Sequence, residues 1–240
     1  MAGWPGALAR ALLPCSCALC GEQADEVVCT PCALRYAAPR LQRCAACANP
    51  LAGVEHPGQR CGACLADAPA FDATVVAVDY VAPLDGLVLG LKFAARLPLA
   101  PWFGRQLAAA VLARPALPRP DLLCPVPLGP RRLVERGYNQ ALEIARPLGR
   151  SLGIALQPRL MRRVVETAAQ SSVAPRERGR NIAGAFELAP DMAQLVAGRH
   201  VGVVDDVRTS GHTLNEVAAT LKAAGAARVS NLVFARTPPH

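Results

Sequence analysis

No stretch of this sequence reaches the roughly 18 consecutive uncharged apolar residues that a membrane-spanning helix requires, so no membrane insertion is expected. The opening segment MAGWPGALARALLPCSC lacks the basic region and small-residue cleavage pattern of a secretory leader. Pro14 directly before Cys15 also argues against a lipidated cysteine, and a cytoplasmic protein is the expectation. No Walker A motif occurs, which disfavours a P-loop NTPase. Lysine is nearly missing: of 26 basic residues only Lys92 and Lys222 are lysines. Aromatics make up 4% of the chain, and Tyr138 is the only one between 131 and 180. That scarcity leaves little for stacking the bases of a single strand. Large apolar side chains are sparse in residues 1–70, so that stretch cannot stabilise itself by burial alone.

Cysteine is what those residues have instead. Nine of the ten cysteines precede residue 65, and eight of them form four CxxC pairs: Cys17/Cys20, Cys29/Cys32, Cys44/Cys47 and Cys61/Cys64. A CxxC turn presents two thiolates to one ion, and two turns complete a tetrahedral four-cysteine site. Four turns therefore point to two structural zinc ions, whose binding would supply folding free energy. Neighbouring turns pair as Cx2C-x8-Cx2C and Cx2C-x13-Cx2C, while interleaved pairing, first with third, fits the spacing equally. Disulfides are disfavoured in a chain without a leader, and iron–sulfur ligation is the minor alternative. Cys15 reads as flanking and Cys124 as a strand residue.

The formal charge of +8 is unevenly placed. Residues 1–70 sum to zero, and two zinc ions on eight thiolates would lower the whole chain to about +4. The ribbon is thus a poor generic nucleic-acid clamp, although Arg35, Arg40 and Arg43 could form a local patch, and docking to a protein or to the rest of the chain is at least as well supported. Residues 131–180 carry eleven arginines against four glutamates. Arginine is favoured where planar, bidentate contact to phosphate matters; a solvated basic face is the plainer reading.

The most informative stretch is VGVVDDVRTSGHTL, 201–214. It reads as a buried strand ending at Asp205–Asp206, a polar turn, and a helix from Leu214 to Ala224 with Val217, Ala218 and Leu221 on one face. A helix N-terminus offers free N–H groups and partial positive charge to a phosphate. Thr209, Ser210 and Thr213 add hydroxyls, and Gly211 lets backbone approach closely. Two carboxylates beside a phosphate need a different counterpart, and ribose hydroxyls or Mg2+ suit them. A second strand–loop–helix unit, 121–152, carries Arg131, Arg132 and Arg136 in its loop, with Asn139–Leu152 helical. Strands are also expected at Phe71–Tyr80, Ala185–Leu188, His200–Asp206 and Val229–Ala235, and proline-started helices at Pro83–Phe93 and Pro101–Ala113. Residues 115–120 read as a linker. In a parallel sheet the two loops emerge at the same edge and face each other, so a diphosphate between them is the simplest ligand. Residues 163–185 read as an extended basic loop, either a flap over the site or a solvated linker.

The 203–213 segment resembles the phosphoribosyl-diphosphate (PRPP) signature of type I phosphoribosyltransferases, with His212 as a mild departure. Together with FDATVVAVDYVAPLDGLVLGLKF, DLLCPVPLGPRRLVERGYNQA, the Gln170…Glu177-Arg178…Asn181…Ala185-Phe186 run and LKAAGAARV, it makes roughly residues 13–237 resemble the ComF/GntX (competence protein F-like) family. The resemblance implies an α/β fold with a type I phosphoribosyltransferase-like parallel sheet and helices on both faces. A double zinc ribbon over 1–70 would precede that domain at 71–240. It implies a role in DNA uptake in transformable bacteria, and no acceptor. On that basis Asp205 and Asp206 are the catalytic candidates, and residues 205–213, including Val207, Arg208 and His212, are the PRPP-binding ones. Arg136, with Arg131, Arg132 and more weakly Lys92, would neutralise diphosphate, and Mg2+ would accompany PRPP. A phosphoribosyl transfer or exchange enzyme is one expectation. The other is a non-catalytic accessory protein that senses PRPP or binds single-stranded DNA beside the competence machinery. The acceptor and oligomeric state stay open.

Overall fold

The computed structural model describes residues 15–38, 42–51, 58–165 and 182–238. The chain starts with a short antiparallel pair, β1 (Cys15–Ser16) and β2 (Gln23–Ala24), followed by α1 (Thr30–Tyr36). A bridge between Arg43 and Pro50 closes the next cysteine turn, and α2 (Gly62–Ala66) follows. In both halves the third cysteine, Cys29 or Cys61, is the helix N-cap and the fourth lies inside the helix. Arg40 lies outside the described residues.

Five strands form the main sheet: β3 (Ala73–Asp79), β4 (Leu122–Pro125), β5 (Ala155–Leu156), β8 (His200–Arg208) and β9 (Arg228–Arg236), all parallel, in the order β3-β9-β8-β4-β5. The two longest strands, β8 and β9, are buried along almost their whole length, as central strands covered on both faces are. β6 (Met161–Arg163) and β7 (Phe186–Leu188) make a separate antiparallel hairpin. Most of the stretch expected to be a basic flap, residues 166–181 with Gln170, Glu177, Arg178 and Asn181, lies outside the described residues.

Two cores lie on opposite sheet faces. One packs α3 (Leu84–Phe93), α4 (Leu99–Leu112) and α6 (Gln140–Leu152) on Val75, Leu123, Val204, Leu232 and Phe234. Phe103 stacks on Phe234 at 3.7 Å, with Trp102 edge-on to both. Gly104 lets α4 and α6 meet: a Cβ there would lie 2.6 Å from Pro147 Cγ. The other core packs α8 (His212–Ala223) and the β6–β7 hairpin on Val76, Cys124, Val203 and Val233. A further short helix, α7 (Ala193–Val196), contributes Val196 to it. The cysteine segments divide between these faces. Cys17 and Cys32 belong to the first core; Cys44, Cys47 and Cys64 belong to the second.

Several boundaries differ from the sequence reading. β8 runs through both aspartates to Arg208, because Val207 and Arg208 still pair with Ala235 and Arg236, and α8 begins at His212. The segment carrying Arg131, Arg132 and Arg136 is a short helix, α5 (Pro130–Arg136), where a loop was expected. Proline occupies its first turn, Gly137 ends it with φ +80, and Arg131 pairs with Glu135 one turn on. α4 starts at Leu99, after Pro98, with Pro101 tolerated in a first turn that needs no N–H donor. The 115–120 stretch is not a loose linker throughout, since Pro120 is buried against the position of Gly202.

Candidate active-site cleft and metal centres

The carboxyl ends of the strands open on a cleft of about 860 Å³. β8 contributes Asp205, Asp206, Val207 and Arg208, and the following turn adds Thr209 and Gly211, with Thr213 from α8. From the other wall come Lys92 of α3 and Arg132, Glu135 and Arg136 of α5. The two expected loops therefore do share one cavity. Arg131 does not line it and is 77% exposed at its side chain, paired with Glu135 at 2.8 Å. Ser210 and His212 also stand outside the lining and contact each other, Ser210 Oγ to His212 Nδ1 at 3.1 Å.

Adjacent carboxylates give the floor its character. Asp205 Oδ1 accepts from Asp206 N–H at 2.9 Å, and Asp206 Oδ1 accepts from Val207 N–H at 2.7 Å. Asp206 is 3% exposed; its Oδ2 lies 3.1 Å from Lys92 Nζ but outside hydrogen-bonding geometry, so the pair is ionic. Burial and the neighbouring Asp206 charge push the Asp205 carboxyl up to about 8, against a smaller opposing pull from Lys92. One ammonium facing two carboxylates leaves a site that favours a further cation or a pair of hydroxyl donors.

Beside the floor, α8 starts with Gly211 as its N-cap at φ +89 and with no side chain capping its first N–H groups. That is the geometry suited to an anion. The far wall is partly apolar: Arg136 stacks 5.4 Å from the Phe93 ring centroid and bonds Gln140 Oε1, while Tyr138 donates its hydroxyl to Leu91 O. Arg163, from the β6–β7 hairpin, and Tyr80 also line the cleft, and sequence reasoning missed both. Arg163 packs over Phe186 and enters only through an antiparallel pairing that no local pattern announces.

The cysteines gather into two tetrads, Cys17/Cys20/Cys29/Cys32 and Cys44/Cys47/Cys61/Cys64, each with its sulfurs within 4.8 Å of one another. Neighbouring turns thus pair, and interleaving does not occur. Cys20 and Cys29 sulfurs are 3.8 Å apart, and Cys47 and Cys61 sulfurs 3.6 Å. A tetrahedral zinc with bonds of about 2.3 Å sets its sulfurs about 3.8 Å apart, so the donor set fits zinc; a disulfide would need about 2 Å. Backbone N–H groups support one thiolate in each set: Cys29 N–H to Cys17 Sγ at 3.3 Å and Cys61 N–H to Cys44 Sγ at 3.2 Å. Burial raises these two thiols, but such N–H groups outweigh it, leaving Cys17 at about 6 and Cys44 at about 7. Burial and the other thiols push Cys32 up to about 12 and Cys64 higher still. Four thiolates so close need a cation to ionise together.

Arg208 has an unexpected setting. It is 7% exposed, its guanidinium lies 5.8 Å from the Phe71 ring, and its Nη2 would be 2.6 Å from a Cβ on Gly211. Burial lowers its pKa, and the four thiols of the second tetrad pull it back up.

Comparisons with known proteins bear on the family and the fold. A phosphoribosyl transferase domain model matches residues 136–239. The DNA utilization protein YhgH of Salmonella typhi is 39% identical over 213 residues, 88% of this chain and 90% of the relative. Competence protein F of Haemophilus influenzae is 33% identical over 200 residues, 80% and 84% of the two chains. Among solved structures, a glutamine PRPP amidotransferase from B. subtilis superposes with a TM-score of 0.36 at 19% identity, over 55% of this chain and 25% of that one, a likeness too distant to bear on function. No helix among the described residues is long and apolar enough to cross a membrane.

Proposed function

This chain belongs to the competence protein F family, and we propose that it binds PRPP with Mg2+ and transfers or exchanges its phosphoribosyl group in the cytoplasm. Membership and the phosphoribosyltransferase-like sheet supply the premise. One observation carries the reading: the acidic pair, an uncapped helix start and a cationic wall share a single cleft. The N–H groups of the 209–213 turn and the hydroxyls of Thr209 and Thr213 hold the 5-phosphate. Asp205 and Asp206 accept from the ribose hydroxyls and would hold the metal, which when bound screens the diphosphate. Arg132 and Arg136 stabilise the leaving diphosphate as the bond from the anomeric carbon breaks, and Lys92, 3.1 Å from Asp206 Oδ2, sets a positive charge beside that carboxylate. Catalysis on this reading is positioning plus charge stabilisation. Residues 1–70 form a double zinc ribbon docked on the 71–240 domain, an assignment supported by the Arg43–Asp79 pair at 2.8 Å.

A DNA-tracking role for the arginine-rich stretch is less well supported. Arg131, Arg146 and Arg162 are each paired with a glutamate: Glu135, Glu143 and Glu187. Calorimetry with PRPP and Mg2+ on the wild type, Asp205→Ala and Asp206→Ala tests the proposal. Binding lost in both variants, and diphosphate release when nucleobases or amines are supplied, is the expected result. Wild-type protein that ignores PRPP but binds single-stranded DNA with steep salt dependence would overturn it in favour of the accessory role.

A further inference from the structure

At the carboxyl ends of β8 and β9, Arg208 and Arg236 occupy paired positions in adjacent strands. They are 7% and 5% exposed. Like charges directly opposite one another repel, and burial removes the water that would screen them. Three of their donors, Arg208 Nε, Arg236 Nε and Arg236 Nη1, are buried with no hydrogen-bond partner. Asp79 stands in register with Arg236, but it is bound at 2.8 Å by a third arginine, Arg43, from the second cysteine segment. One carboxylate among three guanidiniums leaves the group with net positive charge.

The second tetrad shares their surroundings. Phe71, over which Arg208 packs, shares its core with Cys44, Cys47 and Cys64. Thiols of the same tetrad are the groups that oppose the desolvation of Arg208 and Arg236. A divalent metal on four thiolates carries two negative charges, opposite in sign to the surplus on the arginines. Outer groups of this kind tune a metal site's affinity. On its other side Arg208 presses against the turn that precedes α8, where Gly211 leaves room for its Nη2 and no larger residue would.

We propose that the second cysteine centre, holding zinc, is the counter-ion of the buried Arg43–Arg208–Arg236 group, and that through Arg208 its occupancy sets the shape of the 209–213 turn and so its affinity for a phosphate ester. Metal and phosphate sites are then coupled: without the metal the arginines repel, Arg208 shifts, and the turn resting on it moves. The coupling is reciprocal, so a phosphate ester bound at the turn must tighten the metal. The zinc half of this inference rests on the ribbon assignment above, and the phosphate half on the proposed role of the 209–213 turn.

Zinc release to a competing chelator from the full-length protein tests it, with Cys64→Ser identifying the phase that belongs to the second centre. In Arg208→Met and Arg236→Met the second zinc should be held about 10–100-fold more weakly, with the first unchanged, while Arg208→Lys and Arg236→Lys retain most of the affinity. In the wild type, ribose 5-phosphate should slow release of the second zinc about fivefold and leave the first alone. Methionine variants that keep both zinc ions as the wild type does overturn the counter-ion assignment. Should those variants not fold, the wild-type measurement decides alone: ribose 5-phosphate that binds without altering release of the second zinc overturns the coupling while the phosphate site stands. Absence of any ribose 5-phosphate binding refutes the phosphate half, and fewer than two zinc per wild-type chain refutes the ribbon assignment and this inference with it.

Discussion

Replacing Asp205 with asparagine should make the unliganded protein more stable, and increasingly so as pH rises. In the unfolded chain this carboxyl titrates near 3.8, whereas in the fold burial and Asp206 raise it to about 8. Between those values the native state holds a proton that the unfolded state has released. Wild-type stability therefore falls as pH climbs through the window, by at most about 1.4 kcal/mol per pH unit for this group. The four-unit window sets a ceiling of about 6 kcal/mol; the partial solvent exposure of Asp205 should reduce the realised cost to about 2–3 kcal/mol. Asparagine keeps the shape and cannot ionise. Urea unfolding of both proteins at pH 5 and pH 8, zinc-saturated, isolates the effect, since titration of the shared thiols cancels in the difference. The expected result is an asparagine advantage that grows by about 2–3 kcal/mol from pH 5 to pH 8 with unchanged denaturant slope. An advantage that stays constant, or shrinks, would show that the two carboxylates do not strain each other. PRPP with Mg2+ at about 100 times its Kd should return about 2.7 kcal/mol to the wild type and little to the variant.

Three further outcomes are expected. Purified protein should contain about two zinc per chain by elemental analysis, and stripping them should lower the melting temperature. Gly104→Ala should lose about 1–3 kcal/mol in urea unfolding, because the added methyl meets Pro147 Cγ at 2.6 Å and Leu148 N at 3.0 Å; an unchanged midpoint would mean α4 and α6 can separate freely. His200 is buried, with burial and Arg228 lowering its pKa below 6.5, so it stays neutral in the fold while the unfolded chain takes up a proton. Its stabilisation, present above pH 6.5, should be lost progressively as pH falls below that value, and His200→Gln should flatten that slope in melts across the range.

The parts of the site that could be read in the sequence are those held together by local geometry. β8, its acidic pair and α8 are contiguous, so strand periodicity followed by hydroxyls, glycine and helical spacing was enough to outline them. The cysteine turns were legible as turns, but their pairing depends on α1 and α2, where Cys29 and Cys61 act as helix caps that bring the fourth cysteine round. α5 was missed because it has no buried face: none of its residues is buried, so periodicity had nothing to register. Tyr80, Arg163 and the facing of Arg208 onto Arg236 depend on which strands lie side by side, a long-range fact that no window of sequence contains.

That distinction gives the two cysteine centres different prospects. The first packs on the face of α3, α4 and α6, and its Cys20 is exposed to solvent. The second is more deeply buried, on the opposite face, beside strand ends that lead directly into the cleft. Equal ligand chemistry therefore need not mean equal consequence. Cys20→Ser should cost thermal stability while leaving PRPP affinity intact, since nothing charged connects that centre to the 205–213 segment among the described residues. Cys64→Ser should cost both, because Arg208 would lose its counter-charge and the turn above it would lose its support. Calorimetry on the two variants separates the cases: equal losses of affinity would mean that the zinc module acts on the cleft only by holding the fold together.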